Sequence, residues 1–522
     1  MERHGSESYF VVGEGLLGEA IGGRDDGARV LFSTAAAAVT PPFRFSRMGP
    51  SGVNKQLGEP NLRKIGQAMA TGGGGASQIP AGFTYLGQFV DHDLTFDKTE
   101  VMLGENVTPA QLVQARSPSL DLDSLYGAGP NDPASEKFYE PDKIHLRMGT
   151  TAAIGGIPAK PGHDLPRGAG SNAAQKRKAI IPDPRNDENL AVAQLHLAMI
   201  RFHNHVVDTL PSSTPPGQRF AKAREKVVKH YQWMLKTDYL ARICAPGVVN
   251  NVFNQGRKAF EVGVPPMDVP TMPIEFSVAA FRFGHSMVRA TYNWNRIFDN
   301  GAGSLDFLFE FAALNGTLGG SQKLPSNWIA DFRRLFDFSE NNKPALVVPP
   351  GKFNRAMRID TRLVDPLSLL PGFPPADANL AVRNLRRARM VKLATGQQMV
   401  AFLKNKGVNV TKLTNAQIRD GNNNGVTLES LTPAQRTALI QRTPLWFYIL
   451  REAEFNNGRL KGVGARIVAE TFHRAMEGST HSIVRDTAFR PSLGPNNQTF
   501  RMVDLLWFAF QGQASKLNPL GN

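Results

Sequence analysis

The chain has 522 residues, 41% hydrophobic and 20% charged, the balance of a globular protein and not of a disordered one. Its single cysteine, Cys244, excludes an intramolecular disulfide framework, and no apolar run approaches bilayer-spanning length. Basic residues number 60 against 45 acidic, a net charge of +15. That surplus suits an anionic partner; the densest basic segment, RNLRRARMVK at 383–392, lacks a nucleic-acid-binding motif and interleaved aromatics, which favours steering of small anions over nucleic acid.

Residues 1–40 read as an N-terminal extension, Gly-rich early and Ala-rich later, ahead of a main domain at 41–522. The N-terminus lacks a basic stretch followed by a continuous apolar core, so no signal peptide is evident. The expected compartment is cytoplasmic or reached by a non-classical route. TGGGG at 71–75 has no following Lys-Ser/Thr and is a lead-in, not a phosphate loop.

GQFVDHDLTFD at 87–97 concentrates one amide, three carboxylates and one imidazole between apolar residues. As a helix, at ~100° per residue, it puts Gln88, Asp91 and His92 in one arc and Asp93 nearly opposite. RSPSLDLDSLYG at 116–127 alternates small polar and acidic residues before a turn, and the Pro/Gly-rich stretch 154–175 reads as a surface loop. Asp183 is a natural N-cap with Pro184 at the first helical position, and Leu190, Ala193, Leu197 and Ile200 recur at helical spacing. Helical patterns follow at 217–243 and 274–293, Pro-rich connections dominate 340–375, and helices return from 443 to 476. Strand-like alternation is scarce, so the fold class is all-α, mainly helical, with long irregular loops.

Five motifs stand out in order: DHD at 91–93, SPSLDLDS at 117–124, RNDE at 185–188, RFGH at 282–285 and RNLRR at 383–387. Together they resemble the animal haem peroxidase family, in a bacterial-type form without disulfides, from about residue 80 to the C-terminal helices. The resemblance implies that family's fold and haem b as cofactor. His92 then resembles the distal histidine, Arg185 the distal arginine, and Gln88 a group bonding distal water or an anion. Cleaving a peroxide requires a proton taken from one oxygen and delivered to the other. An imidazole with a pKa of ~6.5 does both, while a guanidinium stabilises the developing negative charge.

The resemblance also implies ester links from Asp91 and Glu188 to the haem, and His285 as the axial iron ligand. Asn384 is implied to bond the other ring nitrogen of His285, and Arg282 and Arg387 to pair with haem propionates. A calcium site is implied from Asp93, Ser117, Ser119, Asp121 and Asp123, a hard cation wanting about 6–8 oxygens. Asn189 stands where some members carry a methionine that makes a third haem link, so efficient chloride oxidation is not expected, and whether chloride is oxidised at all stays open. The expected reaction reduces hydrogen peroxide and oxidises bromide, iodide, thiocyanate or phenolic donors.

Two alternatives remain. The fatty-acid dioxygenase branch of the superfamily places a radical-bearing tyrosine three residues before the axial histidine, where this chain has Arg282. A catalytically silent calcium-binding scaffold would be expected to lose His92, Arg185 or His285, and all three are present. A second calcium-like loop beginning at Asp420 fails, because Leu431 stands at its twelfth position. His196, His203 and His205 supply no complete metal-ligand set and read as packing and hydrogen-bonding residues. The sequence leaves the oligomeric state open.

Overall fold

The computed structural model describes residues 43–99, 101, 103–371 and 373–522; the N-terminal extension lies outside them. The molecule is mainly helical, and its described strands form only two-stranded pairs. Eight helices carry the architecture: α1 (Glu59–Met69), α2 (Gly82–Leu94), α3 (Leu190–Asp208), α4 (Pro216–Met234), α5 (Leu380–Met390), α6 (Leu445–Glu454), α7 (Gly462–Glu477) and α8 (Met502–Ala509).

The centre of the molecule is α2, in which all thirteen residues are buried. A helix apolar on every side belongs inside a protein, and here even the polar Gln88, Asp91, His92 and Asp93 are enclosed. Short strand β1 (Ala76–Pro80) pairs antiparallel with β2 (Arg355–Met357) and delivers the chain into α2. Gly87 lets α2 approach its neighbour closely: a Cβ there would lie 2.4 Å from the hydroxyl of Tyr239.

The long helix α3 packs along α2, α4 and α8. It starts later than the Asp183–Pro184 signal suggests. Asp183 caps a separate 3-10 turn, Pro184–Asp187, by accepting from Arg185 N at 3.1 Å, and Asn189 caps α3 by accepting from Val192 N at 3.0 Å. Two caps six residues apart split what periodicity reads as one helix.

A second departure falls at 274–293. Instead of one helix the chain makes three short pieces, Ile274–Ser277, the 3-10 turn Ala280–Phe283, and Gly284–Met287. Side chains take carbonyls that a continuous helix would use: Arg282 Nε donates to Ser277 O at 2.6 Å, and Ser286 Oγ to Phe283 O at 2.8 Å. These pieces rest on α6 and α7.

The expected surface loop 154–175 is also partly interior. It contains the short strand Pro161–Asp164, and Arg167 pairs with the carboxylates of Asp164, at 2.7 Å, and Asp187. The turn after α4 widens into a π-turn, Leu235–Tyr239, before Leu240–Ile243. Such turns re-aim side chains and are frequent at functional sites.

Candidate active site

A small cavity of about 30 Å³ opens between α2 and the broken segment 280–288. Gln88 and Asp91 project from α2 onto one side, and Arg282 and His285 come from the broken segment. Tyr239 and Phe281 add aromatic surface. Segments almost two hundred positions apart are thus brought to one enclosed space.

His285 is buried, and the Asn384 amide lies 2.8 Å from its Nδ1. Asn384 stands on α5, and Trp446 of α6 packs its ring edgewise at 6.4 Å from the imidazole. The amide nitrogen faces Nδ1 in this arrangement; turned over, the amide presents its oxygen and accepts from Nδ1–H, leaving Nε2 a bare donor atom for a metal. Arg282 Nη1 lies 3.3 Å from Asp91 Oδ2. Burial, and then the neighbouring Arg387, holds the Arg282 guanidinium well below its ordinary pKa. Such a group favours additional negative charge beside it. Arg387 itself donates to the carboxylate of Asp97.

On the α2 side, burial pushes the Asp91 carboxyl up to about 7, against the pull of His92 and Arg185. Its Oδ1 is buried without a hydrogen-bond partner. Glu188 accepts from Gln88 Nε2, and the Gln88 oxygen accepts from Asn189 Nδ2 at 3.0 Å. His92 is fully buried just behind this pair, with Nε2 3.5 Å from Glu188 Oε1 and Nδ1 2.8 Å from Asn186 Oδ1.

Arg185 is spent differently from what the resemblance implies. Its guanidinium donates to the carbonyls of His92, at 3.1 Å, and Thr95, at 2.7 Å, pairs with Asp183 at 2.7 Å, and stacks 4.2 Å from the centre of the Phe96 ring. A cation at the carbonyl end of α2 suits the helix dipole; Arg185 thereby braces His92 from behind, outside the lining of the cavity. Burial works against ionised Asp183, yet Arg185 and Arg116 overcome it and hold the carboxyl well below the usual range.

The calcium set assembles only in part. Asp93 accepts from Leu122 N at 3.2 Å and from Ser124 N and Oγ at 3.3 Å, which ties α2 to the 117–124 loop as expected. However, Asp121 is taken by Ser479 Oγ at 2.7 Å and Thr480 N at 3.0 Å. Asp123 pairs with Arg224 at 3.3 Å, Ser117 Oγ accepts from Ser119 N at 3.3 Å, and Ser119 Oγ donates to Gly478 O at 3.2 Å. Among the described residues, no three His, Cys, Asp or Glu side chains are gathered as a metal ion would need. Asp420 pairs with the adjacent Arg419 on the surface. His203 bonds Tyr126 at 3.0 Å and Ile144 O at 2.9 Å, in keeping with a packing role.

Three contacts escaped sequence reasoning. Asn186 touches His92 across 94 positions, Asn189 holds Gln88, and Tyr239 reaches the cavity through the π-turn. Asn186 is part of the RNDE motif and Asn189 directly follows it, which is the one signal that could have found them; Tyr239 has none.

Residues 96–306 match the family model described as animal haem peroxidase. Thyroid peroxidase from Rattus norvegicus is 26% identical over 186 residues, 34% of this chain and 20% of that protein. A peroxidase-like protein from Margaritifera margaritifera is 30% identical over 114 residues, 21% of this chain and 14% of that one. The chain therefore spans a fifth or less of the curated relatives it matches. Among solved structures, peroxidase A from Dictyostelium discoideum aligns over 91% of this chain and 94% of its own, with a TM-score of 0.58 at 15% identity. A fatty acid alpha-dioxygenase from Arabidopsis thaliana aligns over 91% and 77%, with a TM-score of 0.57 at 13% identity. The fold is that shared by these two solved structures, and the family resemblance in sequence falls on residues 96–306.

Proposed function

We propose that the chain is a haem peroxidase that reduces hydrogen peroxide and oxidises bromide, iodide, thiocyanate or aromatic donors. One observation carries this: a single cavity with His285 and its amide partner on one side, and Gln88 and Asp91, backed by His92, on the other. The chemistry of the side chains suits a dianionic iron-bearing macrocycle. His285 would hold its iron, Arg282 and Arg387 its carboxylates, and the unpartnered Asp91 oxygen, with Glu188, would make the ester links. When bound, the haem supplies the redox-active iron. His92 takes and returns a proton at Nε2, Gln88 orients small polar molecules beside Asp91, and Arg185 holds His92 in place.

The fold likeness extends equally to a fatty-acid dioxygenase, so the fold does not separate the two activities. Arg282 at the position of the radical-bearing tyrosine favours the peroxidase. Calcium bound by Asp93 with the oxygens of the 117–124 loop would reinforce the existing tie between that loop and α2. A catalytically silent calcium-binding scaffold is the reading that a haem-free purified protein would favour.

The test is an absorption spectrum of purified protein before and after peroxide, followed by titration with each halide and with a phenol. A haem Soret band with peroxide-dependent oxidation of bromide or phenol is expected. Protein that binds no haem, or that consumes oxygen with palmitate and ignores peroxide, would overturn the assignment.

A further inference from the structure

Asn186 lies in the 3-10 turn that also carries Arg185, and it is fully buried. Its amide bridges two imidazoles on different helices. Oδ1 lies 2.8 Å from Nδ1 of His92 on α2, and Nδ2 lies 3.0 Å from Nδ1 of His196 on α3. An amide oxygen only accepts and an amide nitrogen only donates. In this orientation neutral His92 carries its proton on Nδ1 and leaves Nε2 bare. That Nε2 is buried without a hydrogen-bond partner, with Glu188 Oε1 3.5 Å away. His196, also fully buried, accepts at Nδ1 and so carries its own proton on Nε2.

A turned-over amide would press its N–H against Nδ1 of His92 and force the proton onto Nε2. That nitrogen could then accept nothing. With the observed orientation, His92 gains and loses a proton at Nε2 while its bond to Asn186 stays intact. No group has to rotate between the two protonation states.

We propose that Asn186 is a positioning residue that holds His92 in the Nδ1–H tautomer, with His196 as its anchor, keeping Nε2 as the proton-accepting nitrogen. This rests on the assignment of His92 as the proton-handling group. It gives a function to a residue outside the cavity lining.

The test compares holoenzyme carrying Asn186→Leu, which removes the acceptor, with Asn186→Asp, which keeps it. The infrared stretch of carbon monoxide on the reduced haem reports whether His92 presents a bare nitrogen or an N–H, because a donated hydrogen bond lowers the frequency. Wild type and Asn186→Asp should share one band. Asn186→Leu should add a lower-frequency band and react with peroxide on the order of 100-fold more slowly, the low end of what a positioned base contributes. The aspartate should recover most of that rate. If the leucine variant does not fold by circular dichroism, Asn186→Ala, which only removes atoms, should show the same second band.

A folded leucine or alanine variant with the wild-type band and rate overturns the inference. His92→Ala is measured in parallel. If it retains the wild-type peroxide rate, the underlying assignment of His92 fails instead.

Discussion

At the scale of single residues, the clearest consequences attach to His92 and the two ester-forming carboxylates. His92→Ala should slow the reaction with peroxide by roughly 10²–10⁴-fold while haem stays bound, as expected for loss of a general base; stopped-flow mixing of the variant with peroxide measures it. Asp91→Asn combined with Glu188→Gln should release haem into acidified organic solvent, whereas each single variant should retain it through the remaining link. Free extraction from the wild type would show that no ester forms.

His145 offers a pH test remote from the cavity. Its ring bonds Asp142 through Nδ1 and lies 3.1 Å from Asp208 through Nε2. Burial alone would lower its pKa, but the two carboxylates overcome this and raise it. A folded-state pKa above the unfolded value of about 6.5 stabilises fully below that value and is lost as pH rises through the folded pKa. Urea midpoints of wild type and His145→Gln should therefore differ more at pH 5.5 than at pH 9. Equal differences at both would show that the pairing contributes nothing linked to protonation.

At the scale of elements, the 3-10 turn Pro184–Asp187 matters most, because Arg185, Asn186 and Glu188 all depend on it. Arg167 holds its end by pairing with Asp187 and Asp164, the three side chains almost fully enclosed. Removing one member of a buried ion cluster leaves uncompensated charge and costs about 3–5 kcal/mol. Arg167→Met should lose stability on that scale by chemical denaturation and weaken haem retention; an unchanged midpoint would mean the turn stands without it. The broken segment 274–287 obeys the same logic. Its periodicity is helical, yet Arg282 and Ser286 capture carbonyls and leave His285 on a four-residue turn, where it meets Asn384.

At the scale of the whole molecule, α2 couples the cavity to the 117–124 loop through Asp93. If calcium occupies that junction, chelation should lower the thermal midpoint and the peroxidase rate together, and elemental analysis should find about one calcium per chain. Metal-free protein of equal stability would leave the tie to the hydrogen bonds of Asp93 alone. Among the described residues no helix is long and apolar enough to cross a membrane.

What the amino-acid order determined by itself is whatever depends on neighbours along the chain. Helical spacing at 190–200 marks α3, capping chemistry marks Asp183, and the DHD and RFGH motifs name Asp91, Arg282 and His285 of the cavity lining. Tertiary structure decided everything that depends on distant partners. It turned Arg185 toward the end of α2, drew Asp164 and Arg167 out of a presumed surface loop into the interior, and broke 274–293 where periodicity predicts one helix. It also set Asn186 between two histidines and Tyr239 at the cavity. The physical reason is that periodicity reports which face of a segment is buried, whereas a side-chain hydrogen bond depends on atoms that meet only after the helices have packed.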